Sequence, residues 1–529
     1  MWIVCITSVR HVLTVNGYGG RQTKENEKSW CFKGWETLVK NMKKHFYFLC
    51  AIASLFTIYS CTNDVSEDFI SQKKVKLTQD EVFSISYDET KDLEEKTLFN
   101  MVSAFANLQN GTTTRSNATS FKIVKESFIN KEGEFKKQEQ ATRAINNDDI
   151  TSKICEIEFS NGSSIGRAIV SANANFPALI AFIPKCCSEK MMEQTGASKL
   201  LHASKASYLY NTIKMKEAVD SLRLPTLEKI SKELEIPINE VSYEAVKNYI
   251  TITDAEPTTR STAVQIGDIE MQIYHDKSIF PLVKTNWGQE DPYNGWFSNI
   301  DRDGLRDWVR TQDGGKNFTS VPAGCVNIAM AQMMTYTHCN KRPPVAFLIP
   351  TGKYEVQTGM TFIPNWDQMT KTPKLDDPGA GGIIDAQRLI LDLYIENKTT
   401  SKKDWDNAVI SSEVSEQNML KTMNKYFKYQ AKAAFNGDMA WAALRDKHLV
   451  LMLTSDHAFI ISGILVTEKA ISTRELVKRN DVYWHANLGW ADECTGFYQL
   501  DSNANTYFQA NAVQEWAHKM DYLNNIYAK

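Results

Sequence analysis

Val321-Pro322-Ala323-Gly324-Cys325-Val326-Asn327-Ile328-Ala329-Met330-Ala331-Gln332 joins a Pro/Gly-containing turn to an apolar run. Positions 326, 329, 330, 333 and 334 are apolar, which is helical spacing. Cys325 therefore falls at the N-terminus of a buried helix. There the unpaired backbone N–H groups and the helix dipole favour a thiolate over a thiol. A cysteine alone in such a place is more often a small buried hydrophobe than a nucleophile. A histidine within reach would change that, because an imidazolium lowers the thiol pKa further and makes the sulfur nucleophilic.

The histidine has to come from elsewhere in the chain. Leu449 to Thr454 reads as a strand and is followed by Ser455-Asp456-His457-Ala458-Phe459-Ile460-Ile461-Ser462-Gly463. His457 opens a second apolar strand, a position that aims a side chain at the mouth of a cleft. It lies 132 residues after Cys325, within the roughly 130 to 150 of papain-type Cys–His pairs. His485 also flanks an apolar strand and is the competing base. It belongs to Tyr483-Trp484-His485-Ala486-Asn487-Leu488-Gly489-Trp490, which brings an amide and an indole to a glycine turn. On the N-terminal side, Asn286-Trp287-Gly288-Gln289 precedes Asp291-Pro292-Tyr293-Asn294. Gln289 is either a turn cap before Pro292 or a side-chain amide that can donate to an oxyanion.

Four motifs now stand in order: Trp287/Gln289/Pro292/Tyr293/Asn294, Gly324/Cys325/Val326, His457/Ala458/Phe459 and Asn487/Gly489/Trp490. Each is weak alone, but together and in this order they resemble the streptopain family of papain-like cysteine peptidases, over about residues 275 to 525. The resemblance implies Cys325 as nucleophile and His457 as its base. It implies an oxyanion hole made of the Gln289 side chain and the Cys325 backbone N–H, with Asn487 and Trp490 orienting or shielding the imidazole. It also implies hydrolysis of peptide bonds, with no cofactor and no metal. Asn161-Gly162 through Ile165-Gly166-Arg167-Ala168-Ile169-Val170-Ser171-Ala172 is similar to a strand of the family's propeptides. The implied fold is α+β: a papain-like two-lobed catalytic domain, with a helical lobe and an antiparallel β lobe, preceded by a small α+β prodomain. The chain departs from the family pattern at Asn327, Ser462, Leu488 and Ala491-Asp492. Those positions touch cleft shape and the support of the site rather than the reaction class.

Further out, the pattern divides the chain. Met42 to Cys61 has a basic start at Lys43-Lys44, a short apolar core and the ending Ile58-Tyr59-Ser60-Cys61. That reads as a lipoprotein-type signal peptide, with Cys61 lipidated after cleavage or merely following an ordinary signal. Residues 1–41 are a doubtful extension before it, and residues 62–76 a polar tether. Residues 77–260 are the inhibitory prodomain, with Thr78-Gln79-Asp80-Glu81 as a helix start. A helical insertion lies near 196–250, broken at Pro225 and Pro237. The polar stretch 254–263 is the boundary, Arg260-Ser261 the candidate processing site, and residues 261–529 the peptidase domain.

Composition supports folded domains and excludes little else: 529 residues, 43% hydrophobic and 23% charged, at net charge −3. No global field points to nucleic acid. The expected partners are protein or peptide substrates and the chain's own prodomain, with a membrane engaged only through the lipid anchor. The expected location is outside the cell or on its surface, as an outer-membrane or cell-surface lipoprotein whose mature domain can be secreted. Cys339 and Cys494 read as structural or incidental. Two other classes remain open: a catalytically inactive papain-fold surface protein that binds peptides or a partner, and an amidase or transferase of the same fold.

Overall fold

Thr78 accepts from the Glu81 N–H at 3.2 Å while the Glu81 carboxylate accepts from the Thr78 N–H at 2.7 Å, so helix Gln79–Ser86 begins with a capping box. The structure is a computed structural model and describes residues 74–87, 92–109, 118–130, 135–136, 152–186, 188–254, 261–295, 321–348, 354–371, 381–404, 409–471, 476, 478–504, 507 and 520–529. The signal segment with Cys61, most of the tether, Cys187 and Arg260 lie outside the described residues. Strand Val75–Leu77 already pairs in parallel with Ile250–Ile252, so folded structure begins slightly before residue 77. Val75 and Leu77 alternate into the core that also holds Ile230 and Val246, which is why the tether ends there.

The helical insertion is more continuous than its prolines imply. Ala197–Leu234 is a single 38-residue helix that runs through Pro225. Proline removes one backbone donor, but Val219 on one side and Thr226 and Ile230 on the other are buried against neighbouring elements. Packing on both sides of the proline carries the helix across it. It ends at Glu235, in the left-handed region at φ 60°, and Pro237 then precedes a short 3-10 turn.

One large antiparallel sheet organises the rest. Among the described residues it has 13 strands. From the C-terminal side the order runs Phe427–Ala434, Asp521–Ala528, Leu449–Leu453, Ala458–Ile471, Arg479–Asn487 and Gly496–Tyr498. It continues into Ala178–Ile183, Ser164–Ser171, Ser152–Asn161, Ala118–Ile129 and the two-residue strand Phe135–Lys136. The hairpin of Ser261–Ile266 and Ile269–Tyr274 joins the far end of Ala458–Ile471, with Thr467 opposite Ile273. Strands Ser152–Asn161, Ser164–Ser171 and Ala178–Ile183 cover apolar runs that an Asn-Gly turn and a Pro-containing turn separate. The sheet does not stop at residue 260: Phe497 pairs with Phe182 and Tyr498 with Ala181.

The cores follow the same plan. One core lies wholly in the C-terminal part, where Ile328, Met330, Met333 and Met334 of helix Cys325–Thr337 meet Ala458, Ile460 and the helix Gly381–Glu396. Two others are shared: Ile180, Leu200 and Leu209 pack with Phe459, Trp484 and Tyr498, and Phe105, Phe159 and Phe182 pack with Tyr483 and Phe497. The architecture is the α+β, papain-like arrangement of a helical side against an antiparallel sheet, with the N-terminal half built onto that sheet's edge.

The seam between the halves is tight. A Cβ on Gly496 would lie 2.4 Å from the Phe182 carbonyl oxygen, a backbone atom that cannot rotate away. Gly496→Ala is therefore expected to destabilise the chain by about 2 kcal/mol or more, read as a lowered thermal midpoint. An unchanged midpoint would mean that the strands separate at little cost.

Candidate active site

Helix Cys325–Thr337 starts on Cys325 itself, because Gly324 before it takes φ 85° and turns the chain into the helix. A side chain there would be strained, and its Cβ would come within 3.3 Å of Asn327 and Ser412. Asn327 braces this corner. Its Nδ2 donates to the Ala323 carbonyl at 2.8 Å and to Thr399 Oγ1 at 3.0 Å, and its Oδ1 accepts from Asn397 Nδ2 at 2.7 Å. Cys325 is half-buried, whereas the other cysteines among the described residues, Cys155, Cys186, Cys339 and Cys494, are buried.

His457 sits where strand Leu449–Leu453 turns into strand Ala458–Ile471, with its N–H donating to Thr454 Oγ1 at 3.1 Å. The core shared by Ala458, Ile460 and Ile328 draws this strand against the Cys325 helix. The two side chains face each other, and each moves the other's ionisation. Burial pushes the Cys325 thiol up, but the His457 charge and hydrogen bond, with the Ala458 and Val326 N–H groups, outweigh it and bring the thiol below its ordinary 9.0. Burial pulls the His457 imidazole down, but Cys325, the Leu488 carbonyl and Asp456 bring it above its ordinary 6.5. The pair is arranged to hold a thiolate beside an imidazolium.

The ring is aimed by a backbone group. His457 Nε2 lies 3.1 Å from the Leu488 carbonyl oxygen, which can only accept, so Nε2 carries a proton and Nδ1 is left for Cys325. Phe459 stacks on the ring with centroids 5.9 Å apart. Asn487 does not reach the imidazole: its Nδ2 donates to the Thr285 carbonyl at 2.8 Å and to Gln332 Oε1 at 3.2 Å, and its Oδ1 accepts from the Gly489 N–H at 3.1 Å. The orienting role that the sequence assigns to Asn487 falls to its neighbour's carbonyl, while Asn487 fixes the turn that presents it. Trp490 packs half-buried on the shared core, with its indole N–H buried and without a partner. No ring contact between it and His457 is present.

Gln289 is buried, and its carbonyl accepts from the Ala323 N–H at 2.8 Å, which fastens it beside the start of the Cys325 helix. The same segment is tied to the far loop, because the Ala491 N–H donates to the Trp287 carbonyl at 3.2 Å. Gln332, two helical turns on from Cys325 and on the same face, accepts from Thr285 Oγ1 at 3.0 Å and from Asn487 Nδ2 at 3.2 Å. The sequence therefore locates the residues brought together, but not Gln332 as the hub joining three motifs. Only its being an amide inside an otherwise apolar, buried helix signals it.

His485 takes no part. Burial lowers it to about 4, and its Nδ1 lies 2.9 Å from Ser462 Oγ. The departure at Ser462 thus serves the strand pair carrying His485 rather than the Cys325–His457 pair.

A residue from the N-terminal half also meets the site. Gly196, at φ 73°, caps the 38-residue helix directly over the imidazole. A Cβ there would lie 3.1 Å from His457 Cδ2 and 3.3 Å from its Cβ and Cγ. Lys199, one turn on, binds Asp456 at 2.5 Å and Ser455 Oγ at 2.9 Å. Nothing in the sequence marks Gly196 as more than a helix start.

A half-buried thiol at a helix N-terminus, coupled to a carbonyl-anchored histidine on an antiparallel sheet, is the arrangement of a cysteine peptidase. Residues 287–498 match the model of the Peptidase C10 family, and for that segment the match bears out the streptopain-type resemblance. None of the curated proteins matches the chain. Among solved structures, a fragment of prointerpain A from Prevotella intermedia is 13% identical, covering 71% of this chain and 96% of its own, at a TM-score of 0.40. The active interpain A cysteine protease of Prevotella intermedia is 15% identical, covering 47% of this chain and 96% of its own, at a TM-score of 0.32. At such TM-scores the likeness assigns no residue.

Proposed function

We propose that the chain is the zymogen of an exported cysteine endopeptidase, with Cys325 as nucleophile and His457 as base. The observation that carries this reading is the Cys325–His457 pair, each side chain shifting the other's ionisation toward thiolate and imidazolium. In the proposed reaction the Cys325 sulfur attacks a peptide carbonyl carbon and His457 Nδ1 gives its proton to the departing amine. Water, deprotonated by the same nitrogen, then attacks the thioester and releases the acid and the free thiol. The Cys325 backbone N–H and the Gln289 amide serve the oxyanion. Asn487 and Trp490 support the loop rather than the proton transfer.

The N-terminal half is read as the inhibitory prodomain, and Gly196 over His457 is the contact that favours this over a second, independent domain. Export and anchoring through Cys61 remain part of the proposal. Growth with labelled palmitate would mark the intact chain and leave Cys61→Ala unmarked if they are right.

The test of function follows chain length and casein hydrolysis in purified wild-type and Cys325→Ala protein. Wild type is expected to shorten toward a fragment beginning near residue 260 and to cleave casein, while Cys325→Ala stays whole and inert. If both stay whole and neither cleaves casein after an added protease has trimmed the N-terminal half, the inactive binding protein is the better reading. Gln289→Ala is expected to lower kcat by roughly 10²- to 10³-fold, the usual loss of one oxyanion donor. Cys325 alkylation should stay unchanged in that variant, and an equal loss in both would make Gln289 a structural residue instead.

A further inference from the structure

Cys186 and Cys494 lie 308 residues apart in sequence, one on each side of the proposed processing boundary, yet their sulfurs are 3.3 Å apart. The backbone around them is fixed from both sides. The Cys494 N–H donates to the Lys185 carbonyl at 2.8 Å, and Lys185 Nζ pairs with Glu493 at 2.8 Å. Three residues beyond Cys494, the seam strands begin to pair, Phe497 with Phe182. Cys494 itself sits at φ 57°, a conformation held by this web and by the Tyr498 hydroxyl, which donates to its carbonyl at 2.5 Å. A disulfide needs sulfurs about 2.05 Å apart, so the thiols need approach by only about 1.2 Å.

We propose that Cys186 and Cys494 are a cross-linking site whose disulfide ties the N-terminal half to the C-terminal half. The reaction partner is a small-molecule disulfide such as oxidised glutathione or cystine. One protein thiolate attacks a sulfur of that disulfide and expels a small thiolate. The second protein thiolate then attacks the protein sulfur of the mixed disulfide and expels the other. Two electrons and two protons pass from the protein thiols to the small molecule, which leaves as two thiols. Both sulfurs are fully buried, so reagents reach them only while the seam is open, and the bond is made during folding. Once closed, the seam shields it, and in the reduced state the Cys494 hydrogen bond and burial push the Cys186 thiol well above its ordinary range.

The position gives the bond a consequence. Cys494 ends the loop whose Leu488 carbonyl anchors the imidazole, and Cys186 begins the segment that leads to Gly196 over the same ring. Cutting the backbone near residue 260 would leave an oxidised prodomain attached at the site it covers. This consequence rests on the zymogen reading; the cross-link does not.

The test uses the full chain carrying Cys325→Ala, so that self-cleavage plays no part, with and without Cys186→Ser or Cys494→Ser. Each is refolded with excess oxidised glutathione, alkylated, digested and mapped by mass. The expected result is a linked pair of peptides containing residues 186 and 494, two fewer alkylatable thiols than after reduction, and no such link in either serine variant. After nicking with trypsin, the halves should run together on a denaturing gel and separate on adding reductant. Full alkylation of both cysteines would overturn the proposal, and so would a link that survives Cys186→Ser by running through Cys187. Should the serine variants fail to fold, the map of the parent chain decides alone. If the link forms, yet wild type and Cys186→Ser shed their N-terminal halves equally after cleavage, the cross-link stands and its role in latency falls.

Discussion

His457→Ala is expected to lower casein hydrolysis by about 10⁴-fold or more, the scale on which enzymes of this logic lose rate when the base is removed. Activity alone does not separate loss of a base from loss of fold, so the decisive measurement is the pH profile of Cys325 alkylation in the intact chain. In wild type the thiol lies below its ordinary 9.0 because His457 outweighs burial. Alkylation tracks the thiolate, so its rate should climb at a pH below that value. Removing His457 takes away the two largest lowering influences and leaves burial opposed only by the Ala458 and Val326 N–H groups. The profile should then move to higher pH, and alkylation at neutral pH should fall at least about 10-fold, the factor that one pH unit of movement brings. The same experiment on His485→Ala should leave the profile in place, since that ring bonds Ser462 and burial keeps it neutral to about pH 4. A profile indifferent to His457→Ala would remove the ion pair from the mechanism.

The pair itself is legible in the sequence, because helical periodicity after Gly324 and strand periodicity after His457 each place a reactive side chain at the start of a packed element. What supports the pair is not legible in the same way. The atom that orients the imidazole is a main-chain carbonyl, and any residue at position 488 could supply it. Asn487, whose side chain attracts the eye, is spent on Thr285 and Gln332. The shared cores are hidden for a similar reason. Phe105, Phe182 and Phe497 each read as local strand or helix residues, and only the Phe182–Phe497 register joins them. The polar stretch at 254–263 is a break in composition, but the sheet runs past it on neighbouring strands. Pro225 shows the converse, a strong local signal overridden by the packing on either side of it.

Gly196→Val is expected to speed conversion of the intact chain by about 10-fold or more while leaving the processed enzyme unchanged. Valine at φ 73° is costly in backbone terms alone, by about 1–2 kcal/mol. Its Cβ adds a contact of 3.1–3.3 Å with His457, tighter than ordinary packing, before the two methyl groups are placed. The imidazole has little room to yield, being held by Leu488 on one side and stacked on Phe459. The corner of the N-terminal half is where the strain can be relieved, since its polar tether here is Lys199 to Asp456, an ion pair with much of the carboxylate exposed and worth at most about 1 kcal/mol, which leaves the packing of Ala197 and Leu200 to hold it. The strain should therefore lift the helix start off the ring. A shift of about 1.4 kcal/mol between covered and uncovered states is a tenfold change in their ratio. Lys199→Ala should add a smaller acceleration of the same sign. The onset of casein hydrolysis at fixed protein concentration reads the effect, and kcat/KM of the processed form is the control. A lower thermal midpoint with unchanged conversion would make Gly196 a packing residue, and latency would have to be sought elsewhere along the shared seam.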